Sequence, residues 1–257
     1  MKTSVKNMAV TIAAFLIFLY LLKTQAVNEL LSFIGSGSLR FTANWIICGL
    51  PILAALFLMH KPGKIIESLG LRYGILEGYG LAYLAVIPMI LGFAFTGTFN
   101  TGLTVDEFIR KAVLAGFFEE LFFRGFLFGM LFRYARWGFV PAVLAGALLF
   151  GAVHLYQGND MLSALSAFGI TAFGAVLFCW VYVEWDYNLW TAIGLHTFMN
   201  GTWLLFAVDS SATGNVTSNI FRVISILLIV VGTIVYKKKK FLPFEVNKRT
   251  LWMNNDK

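Results

Sequence analysis

A chain of 257 residues in which 59% are hydrophobic and 13% charged lies outside the composition of a soluble globular domain, and its mean hydropathy of +0.78 points to lipid as its solvent. The formal charge of +7 does not indicate nucleic acid, because the basic residues stand between apolar runs rather than on a polar face interleaved with stacking aromatics. Cys48 and Cys179, the two cysteines, each sit inside an apolar run, which excludes a disulfide framework and a cysteine-built zinc cluster.

A hydrocarbon core about 30 Å thick takes roughly 20 residues of helix to cross. By length and flanking charge, eight candidate spans follow in chain order. Val5 to Leu22 comes after Lys2 and Lys6 in the manner of a signal peptide, but Thr24-Gln25-Ala26 is a poor cleavage site, so an uncleaved first span is expected. Phe41 to Met59 and Gly78 to Phe95 are ordinary apolar stretches. Lys111 to Phe132 is the least ordinary, since Glu119, Glu120 and Arg124 interrupt it. Phe139 to His154 is short enough to tilt or to re-enter. Met161 to Val183, Leu189 to Val208 and Ile220 to Tyr236 complete the series. The expected fold class is all-α, a polytopic transmembrane helical bundle of about eight spans over residues 1–257. No soluble domain is expected, because the polar intervals Lys23 to Arg40 and His60 to Glu77 are too short to bury a core.

Eight spans put both termini on one side, and the basic residues then divide fourteen against five, with Arg124 inside a span. The richer side, which includes Lys237 to Lys240 and Lys257, is expected to be cytoplasmic, with those lysines serving as a topology anchor. A multi-pass protein of a bacterial inner membrane is the expected location.

Each ionisable group at bilayer depth costs at least about 2.5 to 3.5 kcal/mol on insertion scales, so three on one helix must face protein or water. Residues four apart lie about 40° apart around an α-helix, whereas neighbours lie about 100° apart. Glu120 and Arg124 therefore share a face and are expected to pair, leaving Glu119 without a partner on its own helix and with the profile of a general base. Two more pairs sit four apart on single faces: Phe150 with His154, and His196 with Asn200. Imidazole orients or shares a proton with an activated water, and His with Asn donates to an oxyanion, so the set is complete for amide hydrolysis. Against this stands the plainer reading of each part: Glu120 and Arg124 as a structural ion pair, Asn200 as interhelical glue, and His60 as an ordinary loop residue.

At these residues the chain resembles the CPBP family, the CAAX prenyl protease and bacteriocin-processing intramembrane endopeptidases. Glu119-Glu120-Leu121-Phe122-Phe123-Arg124 is similar to the family's E-E-x-x-x-R, Phe150-Gly151-Ala152-Val153-His154 to F-x-x-x-H, and His196-Thr197-Phe198-Met199-Asn200 to H-x-x-x-N/D. The likeness extends over residues 69–205. It implies that Glu119 and His154 activate water, that His196 and Asn200 stabilise the oxyanion, and that Glu120, Arg124 and Phe150 support them. It also implies a peptide or protein substrate in or at the bilayer; from the residues themselves, no nucleic acid and no cofactor are expected. Were a metal such as zinc used, Glu119, His154, His196 and Asn200 would be its ligands. The absence of an H-E-x-x-H helix favours the metal-free form.

Three other readings are weighed. An aspartyl protease requires buried aspartates, whereas Asp106, Asp160, Asp186, Asp209 and Asp256 all lie in loops or tails. A proton-coupled transporter shares the residue types but is expected to show matching interrupted helices in two halves. A scaffold or immunity protein would keep the fold without turnover. The chain ends Asn255-Asp256-Lys257, without a CAAX sequence of its own.

Overall fold

The computed structural model describes residues 2–208 and 213–253; Asp209 and Asn255-Asp256-Lys257 fall outside the described residues. Its class is the expected one. The described residues are helical throughout their regular structure, with a single isolated antiparallel bridge between Trp137 and Met253. Helix α1 runs Lys2–Thr24, α2 Gly37–Cys48, α3 Leu50–Met59 and α4 Ile75–Thr96. A continuous helical segment over 105–134 follows and is denoted α5. The remaining long helices are α6 Phe139–Ala152, α7 Met161–Glu184, α8 Leu189–Leu205 and α9 Val216–Lys239, and short helical turns at Ala26–Leu30, Pro62–Lys64, Ile65–Ser68 and Leu155–Gln157 lie between the long ones.

The helix starts are written in the sequence. Ser36 accepts from the Leu39 N–H to cap α2, and Asn188 accepts from the Trp190 N–H to cap α8. Asp160 with Ser163, and Asn215 with Ser218, form reciprocal capping boxes at α7 and α9.

Among the described residues five helices are long and apolar enough to cross a membrane, and six when α2 and α3 count as one span bent by 43°. That is fewer than the eight expected, for local reasons. The Phe41 to Met59 stretch breaks at Gly49, just before Pro51, whose missing N–H suits a first turn but not a helix interior. Lys111 to Phe132 is helical but carries three ionisable residues. Leu189 to Val208 shortens to a 17-residue helix ending at Leu205. These last two are the innermost elements: residues 122–132 of α5 are all buried, as are residues 191–197 of α8. A helix wrapped by other helices need not be uniformly apolar.

Helix α5 is irregular. Turns of π type, closing from residue i to i+5, occupy Ile109–Leu114, Glu120–Phe128 and Met130–Tyr134, with an α turn over Ala115–Glu119. One face packs on aromatic side chains from α1 and α2: Phe15 meets Phe123 at 5.0 Å between ring centroids, Phe18 meets Phe122 at 4.7 Å, and Trp45 stacks on Phe122 at 5.8 Å. In lipid the hydrophobic effect does not drive helices together, so such van der Waals and aromatic contacts carry the association. The other face meets α8, which runs antiparallel to it and also packs against α4 and α7.

Two features depart from the sequence reading. Lys237, expected at the surface as an anchor, is buried and ion-paired with Glu184 at the end of α7, and donates to the Pro243 carbonyl. Glu184 also accepts from the Glu245 and Val246 N–H groups. The chain beyond α9 thus returns to α6, where the Phe139 and Val140 N–H groups donate to the Thr250 and Leu251 carbonyls at 2.8 and 2.9 Å. His60 is no ordinary loop residue either: its ring lies edge-on to Tyr134 at 4.5 Å, and its Nε2 is 3.2 Å from the Met130 Sδ.

Candidate active site

Glu119 ends the α turn of α5 and Glu120 begins the following π stretch. The Glu120 carboxylate is completely buried, and its Oε1 is 3.1 Å from Nη1 of Arg124, the expected pairing four residues along. A pair four apart stays on one face in a π turn, which closes at five. The contact is an ion pair by distance but not an aligned hydrogen bond, and Glu120 Oε2 and all three guanidinium nitrogens of Arg124 make no hydrogen bond to protein. The guanidinium is held by rings instead: its carbon lies 4.3 Å from the Phe150 centroid of α6 and 5.5 Å from that of Phe178 of α7.

Helix α8 brings His196 to the same place. Its Nδ1 is 2.7 Å from Glu120 Oε1, where an Nδ1–H donates to the carboxylate, and its Nε2 faces Glu119 Oε2 at 3.9 Å. The two glutamates therefore grip one imidazole from opposite sides. The sequence reading put Glu119 on a separate face without a partner on its own helix; the partner comes from another helix. Close approach of α5 and α8 depends on Gly116, since a Cβ there would stand 2.6 Å from Thr197 Oγ1 and 3.0 Å from its backbone nitrogen.

The two remaining motif residues lie apart from this centre. His154 follows the end of α6 and is half-buried, with its Nδ1 2.7 Å from the Phe150 carbonyl oxygen and its ring 4.5 Å from the Phe150 ring. Among the described residues it forms no ion pair with either glutamate. Asn200, one turn beyond His196, donates its amide to the Lys111 carbonyl at 3.2 Å. Phe150 links the groups, with Arg124 and the His154 ring both against its ring. Sequence reasoning missed Phe178, which touches both Arg124 and His196, the latter at 5.8 Å, and Cys179, which is buried beside the Arg124 guanidinium. Both look like any other apolar position of α7, and no sequence signal sets them apart.

The candidate metal ligands do not gather into a chelating set. His196 Nδ1 is engaged by Glu120, His154 Nδ1 by a carbonyl, and Asn200 by Lys111. Among the described residues no three His, Cys, Asp or Glu side chains stand at metal-ligating spacing.

No curated protein and no solved structure matches this chain. Residues 101–202 match the family model described as type II CAAX prenyl endopeptidase Rce1-like. That segment contains all three motifs, from Glu119 to Asn200, and over it the chain is similar to the CAAX-type intramembrane endopeptidases of the CPBP family.

Proposed function

We propose that this protein hydrolyses peptide bonds of membrane-associated or prenylated-tail-like substrates by glutamate-activated water. The observation that carries the reading is the buried imidazole of His196 held between Glu120 at 2.7 Å and Glu119 at 3.9 Å. A structural ion pair requires only Glu120 and Arg124; a second carboxylate and an imidazole add groups that move protons. Glu119, the more accessible carboxylate, takes a proton from water, and the hydroxide adds to the scissile carbonyl. With its Nδ1–H on Glu120, His196 donates to the resulting oxyanion through Nε2–H, as the imidazolium that the two flanking carboxylates favour, and Asn200 donates through its amide. The proton held by Glu119 then passes to the departing amine as the C–N bond breaks. Glu120 and Arg124 fix the imidazole, and Phe150 and Phe178 fix Arg124.

In this mechanism the ring of His154 leaves the Phe150 carbonyl and turns to the attacking water when substrate enters. Catalytic hydrogen bonds commonly tighten only in the substrate complex, and His154 stands outside regular helix, where such a turn needs little rearrangement. Both termini face the cytoplasm of a bacterial inner membrane, the side that holds the larger share of lysine and arginine.

Cleavage of a library of membrane-tethered and prenylated peptides by the purified full chain in nanodiscs tests the proposal. Wild type cleaves, Glu119→Gln loses about a hundredfold to ten-thousandfold in kcat/KM, and chelator changes neither. No cleavage by folded wild type, or unimpaired cleavage by Glu119→Gln, overturns it; loss of cleavage with chelator overturns the metal-free form.

A further inference from the structure

A cavity of about 540 Å³ lies away from the motif residues, between the end of α1, the turn after it, α2 and the start of α5. Its walls carry Arg40 and Arg110 together with the amides of Asn28 and Asn44, and Phe41 and Trp45 form its apolar side. Asp106, the one carboxylate on the lining, is occupied elsewhere: its Oδ1 accepts from the Ser36 hydroxyl and the Ser38 N–H, each at 3.0 Å. Arg40 makes neither an ion pair nor a hydrogen bond through its side chain among the described residues, and Arg110 senses Asp106 without forming an ion pair with it. Two guanidinium groups and three amides, those of Gln25, Asn28 and Asn44, thus line a space that is polar on one side and aromatic on the other.

The size suits a small-molecule or head-group ligand, and guanidinium forks match phosphate oxygens in pairs. The chain between the lining residues Asn28 and Gly37 exposes Leu30 and Phe33 at 73% and 81%. Large apolar side chains beside a cationic pocket are what the boundary between head groups and acyl chains requires. From this arrangement we infer that the cavity binds the phosphate group of a membrane lipid, with Arg40 and Arg110 on its oxygens and Phe41 and Trp45 against its glycerol end.

Native mass spectrometry of the full chain released from detergent tests the inference, with phosphatidylglycerol, diacylglycerol and inorganic phosphate as separate probes. Wild type retains phosphatidylglycerol and not diacylglycerol, Arg40→Gln weakens retention by about tenfold or more, and Arg40→Lys restores part of it. Asn44→Leu, which removes an amide from the lining and keeps both arginines, shows the same loss. Equal retention of phosphatidylglycerol by wild type and both cavity variants overturns the site. Binding of inorganic phosphate that depends on Arg40, without lipid retention, overturns the lipid assignment.

Discussion

Glu119 and Glu120 are sequence neighbours with separate tasks, and substitution separates them. Glu120 is fully buried between Arg124 and His196, so Glu120→Ala leaves a buried guanidinium without its counter-charge. Breaking a buried pair in this way costs about 3–5 kcal/mol, and we expect a large drop in thermal midpoint together with lost cleavage. Glu119→Gln keeps the wild-type midpoint and loses cleavage alone; equal destabilisation by the two would contradict the division. The pairing of Glu120 with Arg124 was legible because four-residue spacing survives in both α and π turns. The grip of both carboxylates on His196 was not, because it depends on how α8 crosses α5. The position of His154 was hidden for a similar reason: spacing put its side chain on the face of Phe150, but α6 ends at Ala152, and the ring answers to loop geometry.

At the level of elements, α8 is held by small residues on its neighbours. Gly116 lets α5 approach Thr197, and Gly78 lets α4 approach α8, where a Cβ would stand 2.7 Å from the Thr191 nitrogen and the Trp190 carbonyl carbon. Overpacking costs typically about 1–3 kcal/mol, and both Gly116→Ala and Gly78→Ala should lower the thermal midpoint. Only Gly116→Ala, one turn from Glu119, is expected to reduce kcat by more than its loss of folded protein explains. The start of α2 carries a pH signature. Hydrogen bonding, first from the Ser38 N–H, holds the Asp106 carboxyl below its ordinary value. Its contribution to stability is therefore present above the usual aspartate range of about 3.9 and is lost as pH falls through the folded value. Thermal midpoints of wild type and Asp106→Asn should converge on acidification below about pH 4; a constant gap would count against this anchor. Helix caps such as Asp160 with Ser163 could be read in advance because capping is local chemistry. The π turns of α5 could not, since they keep the residue types of an apolar helix and differ only in which carbonyl each N–H meets.

Across the whole molecule, the chain is closed by its own C-terminal segment. The buried pair of Lys237 with Glu184 fastens the chain beyond α9 to α7, and Thr250 and Leu251 fasten it to α6. Lys237→Ala strands a buried carboxylate and should lower the thermal midpoint strongly, whereas Glu184→Leu combined with Lys237→Met recovers part of the loss. No recovery in the double variant would show that the Glu245 and Val246 N–H groups, rather than the lysine, are what Glu184 serves. The sequence conveyed a membrane bundle from composition alone, while its span count ran high because apolar length does not tell a lipid-facing helix from one enclosed by others.

The π turns of α5 bear on which length changes the gene tolerates. A π turn holds one residue more than the α turn it replaces, so removing one codon between Glu120 and Tyr134 would let one π turn close as an α turn, keeping the helix unbroken and the residues downstream on nearly the same face. Arg133, which donates to the Ser68 carbonyl at 2.8 Å, would stay on the side of its acceptor, and Glu119 upstream would stay in place. In a deletion scan, single-residue losses in the π stretches of α5 that spare Glu120 and Arg124 should therefore be depleted less strongly than single-residue losses from α8, each of which turns the residues beyond it by about 100°.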